Sequence, residues 1–146
     1  MSLRAALSDE TTRRLVVDDC VQLVDEEVGR KKGLGGVVIK TGYKAVKGIK
    51  PGFIRQVVEA LLDRWAGELD PLWERGQQSP EGPRAYLEAH RSEVAEALLA
   101  VTDEKSRSAK HGIVRTTYGK LRPTAKRHVE EAVPALAAML ESHLCG

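Results

Sequence analysis

The chain contains two similar stretches 75 residues apart, and this repeat limits the folds that are open to it. The first stretch runs from Gly36 to Lys47 and the second from Gly112 to Arg122. The pairs at this offset are Val38 with Ile113, Ile39 with Val114, Lys40 with Arg115, Thr41 with Thr116, Tyr43 with Tyr118, Val46 with Leu121 and Lys47 with Arg122. Only the leading glycine pair is one residue out of step. The repeat predicts two copies of one helical unit, each centred on a short basic helix.

Apolar residues recur at helical spacing in both copies and predict six helices. The expected ranges are about 9–29, 36–49, 51–70, 83–104, 113–121 and 123–144. The third helix is expected to continue for a turn or two, to about 76. Ser8 is the expected N-cap of the first helix, because its hydroxyl can accept a backbone N–H. No alternating apolar run predicts a strand.

Prolines and glycines refine these ranges. Pro51 is expected in the first turn of the third helix, where proline is well tolerated. Pro71 is expected to kink or break that helix. Pro123 is expected to start the last helix, and Pro134 to kink it. The glycines within the second predicted helix, Gly42 and Gly48, predict close approach of another helix.

The predicted fold class is all-α, with about six helices in one bundle built from two three-helix units related by pseudo-twofold symmetry. The single domain spans 1–146. Its repeated halves are expected at about 1–76 and 82–146, joined by a linker at about 76–83 that is rich in Gly, Pro and Gln. Each half is expected to complete the core of the other.

Basic residues are concentrated in the equivalent parts of the two copies. The segment 30–50 contains seven Lys or Arg and the segment 105–128 contains eight, and neither contains a carboxylate. Together the two segments hold 15 of the chain's 23 basic residues, although the net charge is only +2. The candidate anion-binding residues are Lys40, Lys44, Lys47, Arg115, Lys120 and Arg122.

Two interpretations of these basic residues stay open. They form a surface for an anion, such as nucleic acid, an anionic membrane or a phosphorylated small molecule, or they pair with carboxylates of neighbouring helices. Lysine outnumbers arginine in the first segment, which favours diffuse charge over bidentate phosphate recognition. The repeat-equivalent Tyr43 and Tyr118 could stack on a base, but we expect them to anchor their helices in the core.

No combination of residues predicts a catalytic or metal site. The Gly33–Gly36 segment follows no strand and matches no phosphate-binding motif, so a flexible turn is expected there. His90 and His128 each have a glutamate three residues later, but they lack the further ligands that a metal requires. Cys20 is expected to be inert in the core, and Cys145 to be accessible. We therefore expect no enzyme activity, no cofactor and no metal.

The sequence also bounds the location of the protein. No apolar run approaches the ~18 residues that a membrane span needs, and the first residues lack the apolar segment of a secretion signal. Two cysteines do not make a disulfide framework. These features favour the cytoplasm.

The stretch from Gly36 to Phe53 resembles an uncharacterised family of small bacterial helical proteins. The residues that carry the resemblance are Ile39, Lys40, Gly42, Tyr43, Lys44, Val46, Lys47, Ile49, Pro51, Gly52 and Phe53. It extends through Leu98–Asp103 and Lys120–Arg122, and so over nearly the whole chain. The resemblance implies a helical fold. It does not imply any particular activity. The sequence thus favours a structural or protein-interaction module, with an unknown protein partner or self-association, over the alternative of an anion-binding module.

Overall fold

A computed structural model describes residues 2–144 of the chain. Within these residues there are seven helices and no strand, which confirms the all-α prediction. The helices are α1 (Leu3–Ala6), α2 (Glu10–Arg30), α3 (Gly33–Lys47), α4 (Phe53–Gln78), α5 (Gly82–Ala89), α6 (Arg91–Arg107) and α7 (Gly112–Leu144). They pack as a bundle. None of them, within the same residues, combines the length and apolar character that a membrane span requires.

The start of the chain is more ordered than the sequence predicted. α1 packs onto α4, and the Leu3 side chain is only 2% exposed. The Leu3 backbone N–H donates to Oδ1 of Asp70 at 2.6 Å. Ser8 lies in the turn after α1, where its hydroxyl donates to the Ala5 carbonyl at 2.6 Å. The predicted cap at Ser8 is therefore wrong. Asp9 caps α2 by accepting the backbone N–H of Thr12 at 2.9 Å.

Two prolines that were expected to interrupt helices do not. α4 continues through Pro71, and α7 continues through Pro123 and Pro134. The chain does not break at Pro71, and the predicted helix boundary at Pro123 is wrong. The kinks expected at Pro71 and Pro134 stay predictions. All three prolines are exposed. Proline costs a helix one hydrogen bond, and burial on the opposite face, as at Trp73 two residues after Pro71, keeps α4 continuous.

Conversely, the helix predicted at 83–104 is divided in two at His90. This residue has a φ of −112° and a ψ of 34°, outside the helical range. The His90 backbone N–H donates to the Tyr86 carbonyl at 3.0 Å. Its ring stacks on the ring of Tyr86, with centroids 4.0 Å apart. These contacts stabilise the end of α5 and the start of α6.

The connections between helices also differ from the predictions. Pro51 precedes α4, whose N-cap is Gly52 with a φ of +74°. Glycine adopts this left-handed conformation without a steric penalty. Residues 79–81 connect α4 to α5. Immediately beside this connection α4 and α5 touch, since a Cβ on Gly76 would lie 2.6 Å from Cα of Pro83.

The hydrophobic core joins the two predicted halves of the chain. Its most buried members, each at most 1% exposed, are Val16, Trp73, Leu87, Val94, Val133 and Ala137. They come from α2, α4, α5, α6 and α7. Beside this core lies an apolar cavity of about 300 Å³. The first and second halves therefore share one interior.

Candidate functional site

Helix α3 carries most of the residues that the sequence singled out, and it packs on α7 through Gly42. A Cβ on Gly42 would lie 2.8 Å from Cγ2 of Thr117 and 3.4 Å from Cδ1 of Leu121. The predicted close approach at Gly42 is confirmed. At Gly48 it is wrong, because that residue lies at the end of α3 beside only its own helix backbone. Gly42 and Thr117 are 75 residues apart, which is the offset of the two similar stretches in the sequence. The pseudo-twofold symmetry of the two halves stays a prediction.

Tyr43 joins α3 to α2 through a carboxylate. Its hydroxyl donates to Oδ1 of Asp25 at 2.5 Å, and Nζ of Lys47 lies 3.3 Å from the same oxygen. The hydrogen bond from Tyr43, assisted by Lys47, lowers the pKa of Asp25. Burial and the Asp25 carboxylate raise the pKa of Tyr43. The hydroxyl of Tyr43 is therefore bound within the protein.

An analogous network joins α7 to α6. The hydroxyl of Tyr118 donates to Oδ1 of Asp103 at 2.6 Å, and the guanidinium of Arg122 contacts both carboxylate oxygens at 2.8 and 3.2 Å. The Thr102 hydroxyl lies 2.8 Å from that of Tyr118. Burial, followed by the Asp103 carboxylate, raises the pKa of Tyr118 to about 12. Arg122 lowers the pKa of Asp103.

The two networks have the same composition, a tyrosine, an aspartate and a basic residue. The sequence analysis found the tyrosines and the basic residues but missed Asp25 and Asp103. These aspartates are 78 residues apart, whereas the tyrosines are 75 apart. A single offset therefore aligns Asp25 with Ala100 and hides the match. Allowing the loop before each basic helix to differ by three residues would have revealed it.

The remaining anion-binding candidates lie in different surroundings. Lys40, Lys44 and Lys120 are exposed and form no ion pair with any residue between 2 and 144. Arg115 donates to the Ala109 carbonyl beside it. With Lys47 and Arg122 bound to aspartates, the six candidates divide into three free lysines and three residues held by other protein groups.

Three apolar residues at the start of α3 are exposed to solvent. Leu34 is 88% exposed, Val37 62% and Val38 50%. Positions three and four residues apart share one side of a helix, so these side chains form a continuous stripe, bordered by Lys40 and Lys44. We call these five residues the α3 face. Ile39, between Val38 and Lys40, turns inward and lines the interior of the bundle.

The glycine-rich segment also has a different role from the one predicted. Gly33–Gly36 forms the first turn of α3 rather than a loop, so the expected flexible turn is wrong. The helix therefore begins three residues earlier than predicted and displays Leu34 on its surface.

The histidines and cysteines do not come together. No group of three or more His, Cys, Asp or Glu that could hold a metal occurs within residues 2–144. His90 stacks on Tyr86, and Nδ1 of His128 lies 3.4 Å from Oε1 of Glu131. Burial, with a smaller effect of Asp19, raises the pKa of the Cys20 thiol to about 11, as expected of an unreactive core cysteine. Cys145 lies outside the described residues.

These observations define an all-helical protein in which polar networks bind the helices together. The chain belongs to a family of unknown function, DUF6918, whose model matches residues 3–144. The expected membership of an uncharacterised helical family is thus confirmed. Searches of curated proteins and of solved structures found no match.

Proposed function

We propose that this chain is a non-enzymatic helical module that associates with a second copy of itself through the α3 face. The observation that carries the proposal is the exposure of Leu34, Val37 and Val38 on one side of α3. A continuous apolar stripe with a charged border is typical of protein–protein interaction sites. Burying these side chains against a partner would remove apolar area from water and so favour association.

The charges of the chain favour a second copy as the partner. The α3 face presents Lys40 and Lys44, for which no carboxylate lies within reach in the described part of the chain. The chain also has exposed carboxylates that form no ion pair with residues 2–144, among them Glu10, Glu68 and Glu74. Basic and acidic surfaces on one molecule are complementary between two copies.

The polar networks support a non-enzymatic role. Tyr43, Asp25 and Lys47 satisfy one another at a contact between α2 and α3. The second network does the same between α6 and α7. Groups arranged in this way stabilise helix contacts. A cytoplasmic location, favoured by the scarcity of cysteine, belongs to the same proposal.

Sedimentation of the purified protein over a range of concentrations tests this proposal. We expect copies to associate, from dimers upward, and to dissociate on dilution, because a contact between unlike surfaces need not close at two copies. The variant Leu34→Ser/Val37→Ser/Val38→Ser should remain folded, because these side chains are exposed, and should be monomeric. The matched control is Leu15→Ser, since Leu15 is 46% exposed on α2, away from the α3 face, and should leave the association intact. A wild-type chain that is monomeric at high concentration would reject the proposal.

The alternative, binding of an anionic partner through the two basic helices, is favoured by the three free lysines, Lys40, Lys44 and Lys120. A mobility-shift assay with duplex DNA and with RNA at low and moderate salt tests it. Binding should weaken with salt by a log–log slope of roughly −0.9 per phosphate contact on duplex DNA. Lys40→Gln/Lys44→Gln should flatten the slope. No shift at micromolar protein and low salt would exclude the nucleic-acid form of this alternative.

A further inference from the structure

The bundle contains an elongated apolar cavity of about 300 Å³ between α2, α4, α6 and α7. Its wall on α2 extends from Val16 to Lys31, and its wall on α7 from His128 to Leu144. At a rise of 1.5 Å per residue, each of these walls is roughly 20 Å long. The cavity is partly open to solvent, and an apolar recess of this size is a candidate ligand site.

The cavity wall is apolar, and residues with polar side chains lie at one end. Its middle is lined by aliphatic side chains such as Val24, Leu62 and Leu136. Apolar cavities of even ~150 Å³ take up small apolar ligands. At the α3 end, the lining includes Glu27, Lys31 and His128. A ligand that fills the cavity must therefore be long and mostly apolar, and a polar group on it would lie at the α3 end.

The polar end has an imidazole nitrogen without a partner. Nδ1 of His128 is buried and makes no hydrogen bond with the described residues. Its 3.4 Å contact with Oε1 of Glu131 does not have hydrogen-bond geometry. Burial, followed by the charge of Lys31, lowers the pKa of His128, which keeps the ring neutral. Buried polar atoms are nearly always satisfied, so this nitrogen is an available site for a ligand oxygen.

The charges around His128 can accommodate an acidic group. Nζ of Lys31 lies 2.8 Å from Oε1 of Glu131 and 3.9 Å from Oε2 of Glu27. Arg30 also contacts Glu27, at 3.2 Å. Two cationic groups thus balance the two glutamates. The Lys31 side chain is only 10% exposed, so its charge acts in a partly desolvated place where an anion gains most from it.

We propose that this cavity binds a single fatty acid, with the hydrocarbon chain along α2 and α7 and the carboxyl group hydrogen-bonded to Nδ1 of His128 beside Lys31. A hydrocarbon chain in the cavity would make van der Waals contacts with the apolar side chains that line it, and these side chains lack such contacts when the cavity is empty. The site is separate from the α3 face and does not require self-association.

Fluorescence titration of the delipidated protein with cis-parinaric acid measures binding directly. We expect a saturable rise in emission at one ligand per chain, because the polyene enters an apolar site. Saturated fatty acids from octanoic to hexadecanoic acid should displace the probe, with an optimum chain length set by the cavity. An absence of saturable binding, or displacement by no fatty acid, would overturn the proposal.

Cavity-filling variants locate the site. Ala66→Leu/Ala132→Leu places larger side chains on the α4 and α7 walls. Because these side chains occupy existing space, the melting temperature should be equal to or above that of the wild type while affinity for the probe falls at least tenfold. The control Ala60→Leu/Ala100→Leu adds the same bulk at exposed positions and should bind normally. Should the double variant unfold, Val24→Leu is the smaller filling and should reduce affinity in the same direction. Undiminished binding by a folded filled variant would contradict the assignment.

The orientation of the ligand is tested at His128. His128→Phe retains a ring of similar shape and removes the hydrogen-bonding nitrogen. We expect it to weaken dodecanoic acid binding by about fivefold or more, and to weaken binding of the corresponding methyl ester much less, because the ester lacks the acidic group. Equal effects on acid and ester would show that the carboxyl group does not lie at His128.

Discussion

At the scale of single residues, the network of Tyr118, Asp103 and Arg122 links a carboxylate to the stability of the fold. Arg122 holds the pKa of Asp103 below its usual range in the folded protein, whereas in the unfolded chain it is about 3.9. The folded state therefore binds the proton less readily. Its stabilisation by Asp103 is complete above the unfolded pKa and is lost as pH falls through the folded pKa.

The variant Asp103→Asn should therefore be less stable than the wild type at neutral pH, by about 1 kcal/mol, since the carboxylate is partly exposed and its hydrogen bonds are to charged groups. Thermal unfolding from pH 7 to pH 2 measures the difference, which should shrink below about pH 4. Asp25→Asn is the matched control, and its effect should be smaller, because the Asp25 side chain is 45% exposed against 28% for Asp103. A difference between wild type and Asp103→Asn that stays constant with pH would contradict this account.

At the scale of helices, the contact between α3 and α7 depends on the lack of a side chain at Gly42. Alanine favours a helix by about 1 kcal/mol over glycine, but its Cβ would lie 2.8 Å from Cγ2 of Thr117. Threonine is stiff and cannot easily move aside. We expect Gly42→Ala to lower the free energy of unfolding by about 1 kcal/mol despite its better helix propensity.

A double-mutant cycle with Thr117→Ser tests this expectation by urea denaturation. Serine retains the hydroxyl and lacks the Cγ2 methyl group, so Gly42→Ala should be neutral or stabilising in that background. The coupling between the two sites should be at least about 0.5 kcal/mol. Additive effects would mean that α3 and α7 do not touch at Gly42 in solution.

The helices also show which parts of the fold the sequence could predict. Apolar periodicity located α2 and α4 closely, because each has one buried side. The proline rule failed at Pro123, because it describes local backbone cost, whereas burial of other residues of the same helix, such as Val133 and Ala137, also decides the outcome. The helix break at His90 depends on the contact between this residue and Tyr86. No glycine or proline at this point of the sequence indicates the break.

At the scale of the whole molecule, the same limit applies to the candidate sites. The repeat drew attention to α3 and its lysines, since repeated charge is visible in one dimension. The α3 face and the cavity were missed because both depend on how helices are arranged. Leu34 is exposed only because α3 begins at Gly33. The cavity is formed by residues from six of the seven described helices, from Leu3 in α1 to Leu144 in α7.

The shared core makes the division into halves testable. Trp73 of the first half and Leu87 and Val133 of the second belong to one buried cluster. An ion pair also crosses between the halves, from Arg64 to Glu104 at 2.5 Å, and Nε2 of His143 lies 2.5 Å from Oδ2 of Asp19. A half on its own would expose the apolar surface that the other half covers. Because the free energy of unfolding of a small chain is low, this exposure would leave each half unfolded.

We therefore expect the fragments 1–78 and 79–146 to lack cooperative thermal unfolding when each is measured alone by circular dichroism. Mixed together, they should recover helical signal and a blue-shifted tryptophan emission, because Trp65 and Trp73 would again be buried by α5 and α6. The control is the intact chain with a flexible Gly-Ser insertion in the connection at 79–81, which should fold, since lengthening an exposed loop costs little. Cooperative unfolding of either fragment alone would show that the halves are independent domains and that the shared core is not what stabilises them.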